Sequence, residues 1–274
     1  MTTLGVGERI ARGASRRMDP RVRSDRPDFA ALTAEAILAH LAEIDLTALD
    51  ALRSNPSFGE RHLVAIAGSP SVPEEVLEAL LQDRELSKHY RVRAALAMNP
   101  RLPRPHALEL VHQLFWHDLL RVAENVRLHP QVRRAAEHLL ADLVESLTLG
   151  EKVALARMAT RGVIGAFRRE AEPKVVEALL QNPRLAEEDI VAMAGRADVP
   201  AGILRQIATS PRWSSRYPVR LALARNPSTP PAVTLGFLSA LAEADLRGLL
   251  SRPGVATLVR EGARNLLEAL AARR

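Results

Sequence analysis

From about Phe29 to the end of the chain, apolar residues recur three and four positions apart, the spacing that gathers side chains on one face of an α-helix. The clearest stripe starts at Gln131, where Val132, Ala135, Ala136, Leu139, Leu140 and Leu143 predict a long amphipathic helix with Leu139 in the core. A second, at Val259, Ala263, Leu266, Leu267 and Leu270, predicts its counterpart, with Leu266 buried and Gly262 weakening the helix by roughly 1 kcal/mol on intrinsic propensity. Shorter helices are expected over 32–44, 46–54, 60–68 and 73–82, and no stretch has the alternation of a half-buried strand.

Proline and asparagine divide these segments. Asn55-Pro56, Asn99-Pro100, Asn182-Pro183 and Asn226-Pro227 are expected to stop helices, because Asn tolerates the left-handed conformation and Pro disfavours helix in the residue before it. Pro73 suits a first helical turn, where its missing N–H is not needed. Thr148-Leu149-Gly150-Glu151 has the spacing of a capping box, and Asp118 and Asp245, each just before an apolar run, read as N-caps.

The punctuation repeats. Tyr90-Arg91-Val92-Arg93-Ala94-Ala95-Leu96-Ala97-Met98-Asn99-Pro100 is matched 127 residues later by Tyr217-Pro218-Val219-Arg220-Leu221-Ala222-Leu223-Ala224-Arg225-Asn226-Pro227. The same offset pairs Asn55 with Asn182, Gly68 with Gly195, Asp118 with Asp245, and Val132-Arg133 with Val259-Arg260. A tandem duplication is the reading. The 30-residue spacing of Pro70, Pro100 and Pro130, and of Pro200 and Pro230, places a helix-turn-helix unit inside each copy. The expected architecture is an all-α, right-handed solenoid of roughly sixteen short helices sharing one core. Its parts are an arm over 1–28, one half over 29–147 and a second over 148–274.

The phrase Val-Arg-x-Ala, at Val92-Arg93-Ala94-Ala95 and Val132-Arg133-Arg134-Ala135 and echoed at Val219-Arg220-Leu221-Ala222, resembles the second helix of HEAT-like repeats. The longer string Val-Arg-x-Ala-x-Ala-x-Asn-Pro-x-x-Pro, over 92–103 and 219–230, is similar to the bacterial leucine-rich repeat variant. That resemblance covers most of 46–274 and implies an all-helical superhelix that holds partners. The founding member of that family is associated with a cysteine-ligated iron–sulfur cluster, and this chain contains no cysteine. Some helical-repeat proteins are glycosylases acting on alkylated DNA bases, but no aromatic and acidic pocket can be assigned here residue by residue.

The charge bears on partners. The 274 residues carry a formal +6, and residues 1–30 supply half of it, with Arg9, Arg12, Arg16, Arg17, Arg21, Arg23 and Arg26 set against Glu8, Asp19, Asp25 and Asp28. A flexible basic arm is expected there, with nucleic-acid or acidic-lipid contact as the sharper alternative. Absent cysteine excludes disulfides and thiolate ligation, and the lack of a long apolar run points to a cytoplasmic protein with no membrane association.

Candidate chemistry is sparse. All eight histidines fall in the first copy, and His106, His112 and His117 are spaced six and five apart rather than the four that suits a shared metal, so neither metal nor cofactor is expected. Arg93, Arg133, Arg220 and Arg260 each follow a core valine, either as a hydrogen-bonded ladder with compensating carboxylates or as anion contacts in a groove. Trp213, Arg216 and Tyr217 offer a partner hot spot, with a Trp wedged under a loop as the alternative, and Tyr90 and Tyr217 read first as packing residues. No phosphate loop, nucleophile elbow or catalytic triad is present. A non-enzymatic scaffold that binds a protein is the expected function, with a nucleic-acid-binding solenoid and a glycosylase-like enzyme as alternatives.

Overall fold

A computed structural model describes residues 27–273. They form eighteen α-helices and, among the described residues, no strand. The first nine are α1 (Ala34–Ala39), α2 (Leu46–Arg53), α3 (Glu60–Gly68), α4 (Glu74–Gln82), α5 (Arg84–Ser87), α6 (Tyr90–Ala97), α7 (Arg104–Val111), α8 (Trp116–Glu124) and α9 (Pro130–Leu143). The rest are α10 (Leu149–Met158), α11 (Arg161–Ile164), α12 (Pro173–Leu180), α13 (Glu187–Ala194), α14 (Ala201–Thr209), α15 (Tyr217–Arg225), α16 (Pro231–Leu238), α17 (Glu243–Ser251) and α18 (Thr257–Ala271). The count exceeds the expected sixteen partly through the single turns α5 and α11, which are too short to show a periodic stripe. In α5 the Asp83 carboxylate holds the turn by accepting from the amides of Glu85 and Leu86 at 2.9 and 3.2 Å.

Helices pack on near neighbours in the chain. The main contacts join α3 to α6, α8 to α9, α10 to α12, α13 to α15 and α17 to α18, and none spans more than three helices in chain order. One buried apolar cluster runs from Phe29 to Leu223 without a break at 147–150, and a smaller one runs from Ala224 to Ala263. The expected single core therefore divides within α15 rather than at the repeat junction. Leu223 belongs to the larger cluster, while its neighbour Ala224 belongs to the end layer built from α16, α17 and α18.

The junction is crossed by polar contacts as well as apolar ones. Trp116 Nε1 donates to Glu151 at 3.1 Å, Thr160 donates its hydroxyl to Glu137 at 2.6 Å, and Arg184 pairs with Glu124 at 2.9 Å. Glu151 also completes the expected capping box with Thr148, accepting from its backbone N–H at 2.9 Å.

Asparagine does more than stop helices. Asn226, which ends α15, has φ −85° and ψ 122°, extended backbone rather than the expected left-handed turn. The asparagine side chains reach back instead. Asn55 donates to Phe29 O and Leu32 O, both at 2.9 Å, and Asn99 donates to Ala67 O and Ser69 O at 2.7 and 3.0 Å. Asn182 does the same to Ala156 O and Ala159 O at 2.9 and 3.0 Å, and Asn226 to Ala194 O and Arg196 O at 2.5 and 2.6 Å. Each of the four is buried, and each also accepts the amide two residues on, at Ser57, Arg101, Arg184 and Ser228. Most of the carbonyls so capped lie at the C-terminal ends of earlier helices, where the helix leaves them without partners.

Two glycines mark close approaches. A Cβ on Gly262 would lie 2.8 Å from Leu235 and 3.0 Å from Leu238, so glycine admits α16 against α18, 127 residues after Ala135. Gly254 has φ +81°, and a Cβ there would meet Pro227 at 3.0 Å. The expected core leucines Leu139 and Leu266 are half-buried; in α9 the fully buried leucine is Leu140, because the stripe is centred on Val132, Ala136 and Leu140, and in α18 the buried positions are Val259 and Ala263.

Candidate functional site

Asp118 stands at the third position of α8, not at its N-cap, and is 4% exposed. The N-cap is Phe115, whose amide donates to the Tyr90 hydroxyl at 3.0 Å, and that hydroxyl donates to Asp118 Oδ2 at 2.5 Å. A tyrosine oxygen is thus inserted into what would otherwise be a direct bond from an N-cap amide to the carboxylate three residues on. The pattern recurs: the amide of Ala242 donates to Tyr217 at 3.1 Å, and Tyr217 donates to Asp245. Arg121 on Asp118 at 3.2 Å, and Arg225 on Asp245 at 2.8 Å, complete each set. Burial, then the bond to Asp118, pushes Tyr90 up to about 12, so at neutral pH it is a proton donor held in place. Tyr217 is raised as well, in its case chiefly by the bond to Asp245.

Around the first set, the surface opens into a groove of about 770 Å³. Its apolar lining comes from Val64 of α3, Ala94 and Ala95 of α6 and Met98 at the end of α6, and its polar lining includes Arg91 of α6, His117, Asp118 and Arg121 of α8, and Arg127 just beyond. Arg91, His117, Arg121 and Arg127 are all exposed. Among the described residues the guanidiniums of Arg91 and Arg127 have no hydrogen-bond or ion-pair partner, while Asp118, the one carboxylate of the lining, is already occupied by Tyr90 and Arg121. The polar lining therefore presents cations to solvent. Phe115, 61% exposed, stands beside it with its ring 4.5 Å from that of Tyr90.

The residues singled out from sequence are placed differently from one another. Arg93 is half-buried and donates to Ser87 O and Lys88 O at 3.0 and 2.8 Å, and Arg220 donates to Ser214 O at 2.6 Å. These bonds lie within one repeat and go to carbonyls, so the expected carboxylate partners are replaced by the backbone leading into α6 and α15. Arg260 reaches Arg252 O at 3.5 Å, and the Nε atoms of Arg93, Arg133 and Arg260 are buried without a hydrogen-bond partner. Trp213 is 3% exposed, donates to Leu180 O at 3.1 Å and lies under the Arg212 guanidinium at 4.5 Å, which makes it the wedge and not a surface anchor. Arg216 is exposed, 4.0 Å from Glu187. His106 lies 3.7 Å from Glu78, apart from His117, and no group of three or more His, Asp or Glu able to hold a metal ion occurs among the described residues.

Arg91, Arg121, Arg127 and Phe115 escaped sequence reasoning, although a signal was present. At the 127-residue offset stand Pro218, Gly248, Gly254 and Ala242, so these residues are conspicuous by the lack of a match there. Asp189 was likewise missed. It accepts from the amide of Ala186 at 3.2 Å, from Arg168 at 3.1 Å and from Arg161. Its burial works against ionisation, but the two guanidiniums and the amide outweigh it and hold the carboxyl below the usual range.

The fold defines the chain as an all-α protein, and among the described residues no helix is long and apolar enough to cross a membrane. No protein-family model, curated protein or solved structure matches it.

Proposed function

We infer that this chain is a non-enzymatic scaffold, an α-solenoid of HEAT-like or leucine-rich-repeat-variant type built by duplication of a 127-residue unit, whose task is to hold a protein partner. One observation carries the reading. Of the contacts that recur at the 127-residue offset, those of Asn55 and Asn182 and of Asn99 and Asn226 tie one backbone segment to another, and the Tyr90 and Tyr217 sets hold a helix-opening amide to an Asp carboxylate, while exposed residues such as Arg91, His117, Arg121 and Arg127 are not repeated. Repetition serves architecture, and the varied surface is left for recognition. The acid–base groups at the groove support the non-enzymatic part, since Tyr90 is held protonated and Asp118 is fully engaged.

The competing nucleic-acid reading is tested by removing 1–28, a segment whose seven arginines all lie outside the described residues. The full chain is expected to bind duplex and single-stranded DNA weakly and without sequence preference, and 29–274 to show no DNA binding at physiological salt. Sub-micromolar binding of DNA by 29–274 in that salt replaces the scaffold reading with the nucleic-acid one.

A further inference from the structure

We propose that the first-half groove beside Tyr90 and Asp118 is a docking site for a short acidic segment of a partner protein, whose carboxylates pair with Arg91 and Arg127 while an apolar side chain lies over Ala94, Ala95 and Met98. The inference rests on the scaffold reading and names the chemistry of the occupant.

Charge complementarity comes first. The lining carries Arg91, Arg121 and Arg127 against a single carboxylate, Asp118, and that carboxylate already receives Tyr90 and Arg121. Exposed guanidiniums without partners are matched by carboxylates in paired, geometrically specific bonds. The volume of about 770 Å³, with an apolar lining and a few convergent polar groups, suits a few side chains of an extended peptide.

The second copy supplies an internal control. It keeps the Tyr217–Asp245 support yet replaces Arg91, His117, Arg121 and Arg127 by Pro218, Ala244, Gly248 and Gly254. At Gly254 a side chain is barred twice, by φ +81° and by Pro227 at 3.0 Å from any Cβ. The cationic set is thus an addition to the repeat and not a requirement of it. The same contrast weighs against a nucleic-acid strand, because a phosphate backbone is tracked by a continuous basic stripe and the three groove arginines have no counterparts at the 127-residue offset.

The test uses the full chain and fluorescence anisotropy at physiological ionic strength, with two labelled probes. One is a peptide of about eight residues alternating Glu and Leu, and the other an oligothymidylate of about the same extended length. The variant R91Q/R121Q/R127Q is compared with R157Q/R205Q/R264Q, which removes the same charge from exposed positions elsewhere. Thermal melts establish that both triples fold. The expected result is peptide binding weakened about tenfold or more in the groove triple and by no more than about twofold in the control, with the oligothymidylate bound more weakly than the peptide. Equal losses in the two triples, no measurable peptide binding by the unmodified chain, or tighter groove-dependent binding of oligothymidylate each overturns the proposal. If the peptide fails while 29–274 still ignores DNA, the acidic occupant falls and the scaffold reading stands.

Discussion

His62 and Asp189, 127 residues apart, do the same work with different chemistry: each accepts the amide that opens its own helix, from Gly59 at 3.1 Å and from Ala186 at 3.2 Å. His62 accepts through Nδ1, so its Nε2 carries the proton and donates to Ala34 O at 3.2 Å. Asp189 instead gathers Arg161 and Arg168, a charged solution to the same orphan donor.

That difference makes the second half acid-sensitive. Asp189 is held below the usual carboxylate range when folded, so its contribution is complete above the unfolded pKa near 4 and is lost as pH falls through the folded value. Asp189→Asn keeps the amide acceptor and removes the charge, and is expected to cost about 1–3 kcal/mol at neutral pH. Urea denaturation at neutral pH and near pH 3 checks this, with the gap between variant and parent narrowing in acid.

The chain has two tyrosines, and both are raised. Absorbance of tyrosinate in the folded protein is expected to lag the ordinary midpoint near 10, with Tyr90 ionising near 12, whereas in denaturant both titrate near 10. By linkage the contribution of Tyr90 is full below pH 10 and declines as pH rises through about 12. Tyr90→Phe strips Asp118 of a donor and Phe115 of an acceptor, at about 1–2 kcal/mol by thermal or chemical unfolding at neutral pH.

Asn99→Ala leaves the carbonyl of Ala67 and the amide of Arg101 without partners and Ser69 O with only the Val72 amide at 3.4 Å, an expected loss of about 2–4 kcal/mol. Asn99→Asp is the sharper probe. A carboxylate cannot donate to carbonyls and places its charge against them, so the variant is expected to be at least as unstable as Ala at neutral pH and to recover in part when acid protonates it.

Leu140→Ala removes a fully buried side chain and is expected to cost about 2–5 kcal/mol, while Leu139→Ala, half-buried, costs less. Equal losses by calorimetry would place both on the core face.

The pattern of leucines made the α9 helix legible, but a stripe one residue wide can be centred on Leu139 or Leu140 with nearly equal fidelity to helical spacing. The neighbour decides, and α8 lies outside that segment. Asn-Pro was readable as a boundary because Pro restricts the residue before it. The two donor bonds of each Asn were not, since the partners of Asn99 lie 30 and 32 residues back in the chain. Trp213 shows the limit in another way: an aromatic beside two serines and an arginine has the composition of a hot spot, and only its bond to Leu180 O reveals that it faces inward. Arg91 and Arg127 look like ordinary surface charges until α6 and α8 bring them to one groove.

The asparagine bonds all point the same way, each donor to carbonyls nearer the start of the chain, and Arg212, Arg252 and Trp213 follow the same rule at Asn182 O, Arg225 O and Leu180 O. On a ribosome, each carbonyl in this set has therefore been made before its donor emerges. Through these bonds a nascent layer closes onto one already in place, whereas the tyrosine sets and Trp116 wait for Asp118, Asp245 and Glu151 still to be translated.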